Sequence, residues 1–279
     1  MRRARGPDPF GVPGIPERPG CCDVRDPQIQ VDGLEVHYGS HVALRDVTMP
    51  IHRGCITAIV GPSGCGKSTF LNCLNRLTDL LPGCVVRGRI TLDGQDVLDG
   101  QVDVVALRRR VGMIFQKPNP FPLSIRKNLT FPLRHHGFRN RRELDDIVES
   151  VLRDVSLWEE VEHRLDAPAL GLSGGQQQRL CLARAMALRP EVILLDEPCS
   201  ALDPLASGVV EDLIASLRGR YTVVIVTHNL AQARRLADDV GLLWPREGAG
   251  RLIEHGRARD VFEHPEHELT AAYIAGVRG

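Results

Sequence analysis

The chain carries no excess of charge. Its 35 Lys and Arg residues stand against 35 Asp and Glu, so no global field draws it to nucleic acid or to an anionic lipid surface. Long apolar runs are also missing: the uninterrupted hydrophobic stretches are about strand length, well short of the ~20 residues that cross a bilayer. The basic start Met1-Arg2-Arg3 is followed by no apolar stretch of the signal-peptide kind. Any membrane attachment must then come through partners, and the chain is expected to stay in the cytosol. Its eight cysteines lack the paired spacing of a zinc site, and Cys21 and Cys22 are adjacent, so without a secretory signal all eight read as reduced thiols. No internal repeat is present.

What is there is enough chain, at 279 residues, for a sizeable core. Residues 1–28 differ in kind from the rest. Pro7, Pro9, Pro13, Pro16 and Pro19 alternate with Gly and Arg without apolar periodicity, as in a disordered leader. From Cys55 to Ile253 strands alternate with helices, which predicts one doubly wound core with a helical lobe inserted near residues 117–176.

One loop carries the clearest chemistry. Gly61, Pro62, Ser63, Gly64, Cys65, Gly66, Lys67, Ser68 and Thr69 fit G-x-x-x-x-G-K-[ST] and follow an apolar run, Cys55–Val60, that reads as a buried strand. Glycines without a Cβ let the backbone curl with its N–H groups pointing at phosphate oxygens, at the mouth of a helix starting near Lys67. Lys67 is placed to reach between the β- and γ-phosphates of ATP, and the Ser68 hydroxyl to ligate Mg²⁺, a hard cation that prefers oxygen.

Three further apolar strands end in polar side chains. Val192–Leu195 runs into Asp196 and Glu197 without alternation, as a strand covered on both faces does. Ligands bind at the carboxyl ends of strands in open parallel sheets, so Asp196 is assigned to the Mg²⁺ shell and Glu197 to polarising the attacking water. Thr222–Thr227 ends in His228, placed to bond a γ-phosphate oxygen. Gln116, after Val111–Phe115, stands in the same topological place and could touch both Mg²⁺ and the water.

Downstream, residues 172–179 read Leu-Ser-Gly-Gly-Gln-Gln-Gln-Arg. Ser173, Gly174, Gly175 and Gln176 open a helix with an apolar stripe at Leu180, Ala183, Ala187 and Leu188. The chain thus owns a second helix N-terminus suited to an anion. One triphosphate needs only one phosphate loop, so the economical arrangement is a two-fold dimer in which each copy's second site faces the nucleotide held by the other.

These strings resemble the ABC ATPase family throughout residues 29–279. Lys117–Pro122, Cys199 within Glu197–Pro204, and Tyr221–Asn229 are similar to one branch, the ATP-binding subunits of bacterial phosphate importers. The resemblance implies a P-loop NTPase core of α/β class, with an N-terminal antiparallel β subdomain and the inserted helical subdomain. By position it implies that Tyr38, at the end of strand Val31–Tyr38, stacks on adenine. Ser173 and Gly175 would contact the partner's γ-phosphate, Gln116 would sense nucleotide state, and Asp203 would cross the dimer interface. The implied partners are a second copy, two membrane permeases on whose cytoplasmic face the subunit lies, and, indirectly, an extracytoplasmic phosphate-binding protein. The segment Lys117–His136, with Pro118, Pro120, Pro122 and Pro132 breaking helices, is the expected permease dock.

Two stretches exceed the resemblance: the leader, and Trp244–Gly250, which looks like a lengthened hairpin between two late strands. Neither is expected to touch the chemistry. The ending at Ala271–Gly279 falls where a single cassette of this branch would end. Cys65, inside the loop at a helix N-terminus, is a candidate for a lowered thiol pKa and oxidative control. Three functions remain open: phosphate-import ATPase, import ATPase for another small solute such as a polar amino acid, and a non-transport ABC protein. The third usually carries two cassettes or a long coiled-coil insertion, which this chain lacks.

Overall fold

The computed structural model describes residues 26–276. Ten strands form one sheet in the order β5-β4-β1-β2-β10-β9-β3-β8-β7-β6. In chain order they are β1 (Pro27–Tyr38), β2 (His41–His52), β3 (Ile56–Val60), β4 (Cys84–Leu92), β5 (Gln95–Asp96), β6 (Val111–Ile114), β7 (Val192–Asp196), β8 (Thr222–Val226), β9 (Asp239–Arg246) and β10 (Ala249–Arg257). The helices are α1 (Lys67–Leu74), α2 (Val104–Arg110), α3 (Ile125–His135), α4 (Arg141–Asp154), α5 (Trp158–Val161), α6 (Gly174–Ala187), α7 (Pro204–Ser216), α8 (Leu230–Leu236), α9 (Ala258–Glu263) and α10 (Glu268–Ile274).

Pairing divides the sheet. β9, β3, β8, β7 and β6 run parallel, while β5, β4, β1 and β2 form an antiparallel ribbon. The two parts meet at β10, antiparallel to β9 and joined to β2 at Gly250 beside Leu44. β1 begins at Pro27, inside the stretch expected to be leader. Gln28 and Ile29 are buried there, the Gln28 amide bonded to Glu191. Residues 1–25 of that leader lie outside the described residues.

The central strands are apolar because both faces are covered, and the alternation of their side chains sorts the core into two. Ile56, Ala58, Ile193, Leu195, Val223 and Ile225 belong to the core shared with α6, α7 and α8, which continues into the helical lobe. Ile59, Val192, Leu194, Val224 and Val226 face α1 and the antiparallel ribbon, where Phe70, Leu71 and Leu74 pack. The lobe holds α3, α4 and α5, with α6 returning to the sheet.

Pro132 lies within α3 and does not end it. An interior proline costs roughly 3 kcal/mol or more. Ile125, Leu129 and Leu133, four residues apart on one face, are all fully buried, at about 1.5–3 kcal/mol each, so packing prevails over propensity. The other three prolines of that segment, Pro118, Pro120 and Pro122, do sit in irregular backbone.

Residues 244–250 form the hairpin between β9 and β10, closed by a two-residue turn. Glu247 and Gly248 have φ of 54° and 78°, the mirror-image turn that suits twisted strands. Among the described residues no helix is long and apolar enough to cross a membrane.

Candidate functional site

The loop after β3 is shaped by its glycines, each for its own reason. A Cβ on Gly61 would lie 2.0 Å from the Leu243 carbonyl oxygen, and one on Gly66 2.5 Å from Leu44 Cδ2. Gly64 has open space but a φ of 79°. The wall behind the loop is the β9–β10 pair: a Cβ on Gly250 would sit 2.0 Å from the Cys65 carbonyl oxygen. The late hairpin, expected to stand apart from the chemistry, therefore backs the phosphate loop. Inside it the Lys67 ammonium, buried, donates to the carbonyls of Gly61 at 2.8 Å and Pro62 at 2.9 Å.

The polar strand ends converge on this loop. The Ser68 hydroxyl donates to Asp196 Oδ1 at 3.0 Å. Burial pushes the Asp196 carboxyl above the ordinary carboxylate range; the neighbouring Glu197 charge adds to this, and the Ser68 bond and Lys67 offset part of it. At Glu197 the chain leaves β7 with a φ of 43°, in the left-handed region, its N–H tied to the Val226 carbonyl at 2.9 Å. Such backbone costs about 1–3 kcal/mol and persists where its surroundings enforce it. Both carboxylate oxygens of Glu197 are engaged: Gln116 Nε2 donates to Oε2 at 3.0 Å, and His228 Nδ1 lies 3.2 Å from Oε1. That second contact is a hydrogen bond when Nδ1 carries the proton. Tyr38, half-buried, donates to Thr69 Oγ1 at 3.4 Å, so its ring lies beside the first turn of α1.

Ser173–Gln176 and Asp203 stand apart from this group. Ser173 caps α6 in a reciprocal box, its N–H donating to Gln176 Oε1 at 3.0 Å and its Oγ accepting from Gln176 N at 3.4 Å. Gly174 is exposed. A Cβ on Gly175 would approach Ala206 Cβ at 2.9 Å, so this glycine lets α6 lie against the start of α7. Asp203, exposed, caps α7 by accepting from Leu205 N and Ala206 N at 3.0 Å each. In the expected apolar stripe of α6, Leu180, Ala183 and Ala187 are buried and Leu188 is the partly exposed C-cap.

Cys65 corrects the reading of an activated thiol. It is fully buried, and burial pushes its thiol up, with Lys67 offsetting only part of the shift. Desolvation outweighs the helix N-terminus and the Lys67 ammonium 4.0 Å away because the sulfur is enclosed in the core.

Two carboxylates with specific partners carry no sequence signal. Glu160, on α5, accepts from Gln176 Nε2 at 2.7 Å and from Arg179 at 2.8 Å, and so fixes the amide that completes the α6 cap. Burial alone would raise its pKa; these two donors bring it below the usual range. Glu211, on α7, is buried against α8. Neither lies in a motif, and only the folded chain brings them to their partners.

The ABC transporter family profile matches residues 44–200. The phosphate import ATP-binding protein PstB 1 of Nitrosococcus oceani is 58% identical over 271 residues, which cover 97% of this chain and 98% of that protein. The protein of the same name from Vibrio vulnificus is 52% identical over 251 residues, covering 90% and 91%. Among solved structures, cbiO1 from Clostridium perfringens, described as part of the ABC transporter complex cbiONQ, superposes with a TM-score of 0.72 at 28% identity, covering 91% of this chain and 96% of that one.

Proposed function

The chain belongs to the ABC transporter ATPase family, and on that premise we propose that it hydrolyses ATP to drive import of inorganic phosphate through membrane permeases. The observation that carries the catalytic half is the Glu197 carboxylate, held between Gln116 and His228 one residue after the acid that meets the phosphate loop. The cargo is supported by the 58% and 52% identical phosphate import proteins.

The residues fit a nucleotide. A loop in which added Cβ atoms would collide leaves its backbone N–H groups free to approach phosphate. Lys67 exchanges its two carbonyls for phosphate oxygens when ATP enters. Tyr38, at the edge of the loop, is the adenine platform. Ser68, Asp196 and Gln116 supply hydroxyl, carboxylate and carboxamide oxygens, a hard donor set suited to Mg²⁺. When bound, that ion neutralises charge on the transferring phosphoryl group. Glu197 orients the attacking water and takes up its proton. Gln116 and His228 hold the carboxylate from both sides; His228 is also the bond to a γ-phosphate oxygen, and Gln116 the contact to Mg²⁺ and the water.

Ser173–Gln176 and Asp203 face a second copy, whose nucleotide they complete, so that ATP bridges two protomers. The Lys117–His136 segment is the permease dock. Its exposed Phe121 and Phe131 rings, 5.8 Å apart and edge to face, offer an apolar contact. The assembly lies at the cytoplasmic face of the membrane, fed from outside by a phosphate-capturing protein. Complementation tests the cargo: in a strain without its own phosphate import ATPase, this chain should restore phosphate uptake and its Glu197→Gln variant should not. Restored uptake of a different solute, with none of phosphate, moves the cargo and leaves the ATPase intact.

A further inference from the structure

A buried junction behind the catalytic strand ends has no place in the chemistry above. Glu211, in the middle of α7, is 5% exposed, and so is Gln232 on α8. The Gln232 carboxamide donates to Glu211 Oε1 at 2.9 Å, and Arg235 ion-pairs with the same carboxylate. A third segment enters through Cys199, whose thiol lies against the Gln232 side chain and whose sulfur is 3.9 Å from the Ser207 carbonyl oxygen of α7.

The sequence positions give the junction its meaning. Cys199 follows Glu197 by two residues, and Gln232 follows His228 by four. Glu197 and His228 touch at 3.2 Å, so the same two chain segments meet twice, once at the site and once behind it. The backbone between the meetings is stiff on the α8 side: Asn229 Oδ1 accepts from Gln232 N at 3.1 Å, and Thr227 Oγ1 from Asn229 N at 3.0 Å. A displacement of Gln232 therefore reaches His228. A buried carboxylate keeps its charge only while its donors stay in place, which makes Glu211 a fixed point for both segments.

We infer that Glu211 and Gln232 are positioning residues for the hydrolytic step, holding the turn after β7 and the turn after β8 so that His228 and Glu197 meet. This rests on the roles assigned to those two residues. In the full-length chain, Glu211→Leu and Gln232→Leu should each lower kcat about tenfold or more, with KM for ATP within about twofold of wild type. Glu211→Gln, which can still bond Gln232, should retain most of kcat. Gln232→Glu sets two carboxylates face to face and should also lose kcat, and adding Glu211→Gln to it should recover turnover to within about threefold of wild type. That recovery decides the matter where the Leu variants do not fold. Full turnover in folded Leu or Gln232→Glu variants, a loss of KM in step with kcat, or no recovery in the double variant overturns the inference. Turnover by wild type but not by Glu197→Gln upholds the catalytic assignment in any of those cases, whereas an active Glu197→Gln variant removes that assignment instead.

Discussion

The two halves of the proposed nucleotide site are built differently. Around the phosphate loop, side chains from β3, β6, β7 and β8 already meet within one chain: Lys67 on loop carbonyls, Ser68 on Asp196, Gln116 and His228 on Glu197. At the other half, Ser173 and Gln176 cap their own helix and Asp203 caps the next. One half is a cluster of polar side chains assembled by the sheet; the other is an exposed, anion-suited helix end, which the proposed function completes with another copy. On the proposed reading, folding alone prepares the chemistry and dimer formation switches it on.

The largest expected effect breaks the first half alone. Glu197→Gln keeps the contacts with Gln116 and His228 sterically possible but cannot accept the water's proton. A positioned base typically supplies ~10²–10⁴ in rate, so phosphate release should fall by that range while ATP still binds, and the variant should accumulate as an ATP-bridged dimer in light scattering. Full steady-state activity from strictly monomeric protein would erase the difference between the halves. Next in size, Lys67→Ala removes a buried ammonium whose bonds are charge-assisted, each worth about 1.5–3 kcal/mol. Titration calorimetry should show ATP affinity lower by roughly 10- to 100-fold, and unchanged affinity would contradict the loop's role.

How much of this was legible in the residues follows from the range over which each feature is determined. The phosphate loop, the strand ends at Asp196, Glu197 and His228, and the α6 cap are local, written in consecutive residues whose backbone demands select Gly, Ser or an acid. β7 lies where the apolar run Val192–Leu195 put it. The wall behind the loop was hidden, because Gly250 meets Cys65 only through the register of β10 on β9 and β2, nearly two hundred residues away. Pro132 departs from its local expectation for the same reason: helix propensity is local, while the burial of Leu129 and Leu133 is tertiary. Cys65 looked activated from its place beside a helix start, and only the fold shows the sulfur enclosed. Glu160 and Glu211 carry no motif at all.

The second half is tested by a smaller change. Gly175→Ala places a methyl group 2.9 Å from Ala206 Cβ, so α6 must shift from α7 by a few tenths of an ångström. ATP affinity of the monomer, set by the phosphate loop, should be unaffected, while turnover falls by about tenfold through a displaced helix end, given that overpacking costs roughly 1–3 kcal/mol. Equal loss of affinity and turnover would tie the two halves together in the isolated chain.

The smallest expected effect concerns stability in the prepared half. Burial raises the Asp196 pKa in the folded chain above its unfolded value of about 3.9. For an acid with a raised folded pKa, the native state binds the proton more tightly, so its contribution to stability is fully present below the unfolded pKa and lost as pH rises through the folded one. At neutral pH the ionised carboxylate is then a net destabilising group, kept for its function. Asp196→Asn should raise the nucleotide-free Tm at pH 7 by about a few degrees at most, with a smaller gain at pH 4, where less of the wild-type carboxylate is ionised. Melting curves at the two pH values decide it: a Tm lowered at pH 7, or a gain larger at pH 4, would mean that the Ser68 bond and Lys67 outweigh burial, and that the catalytic half is relaxed rather than poised.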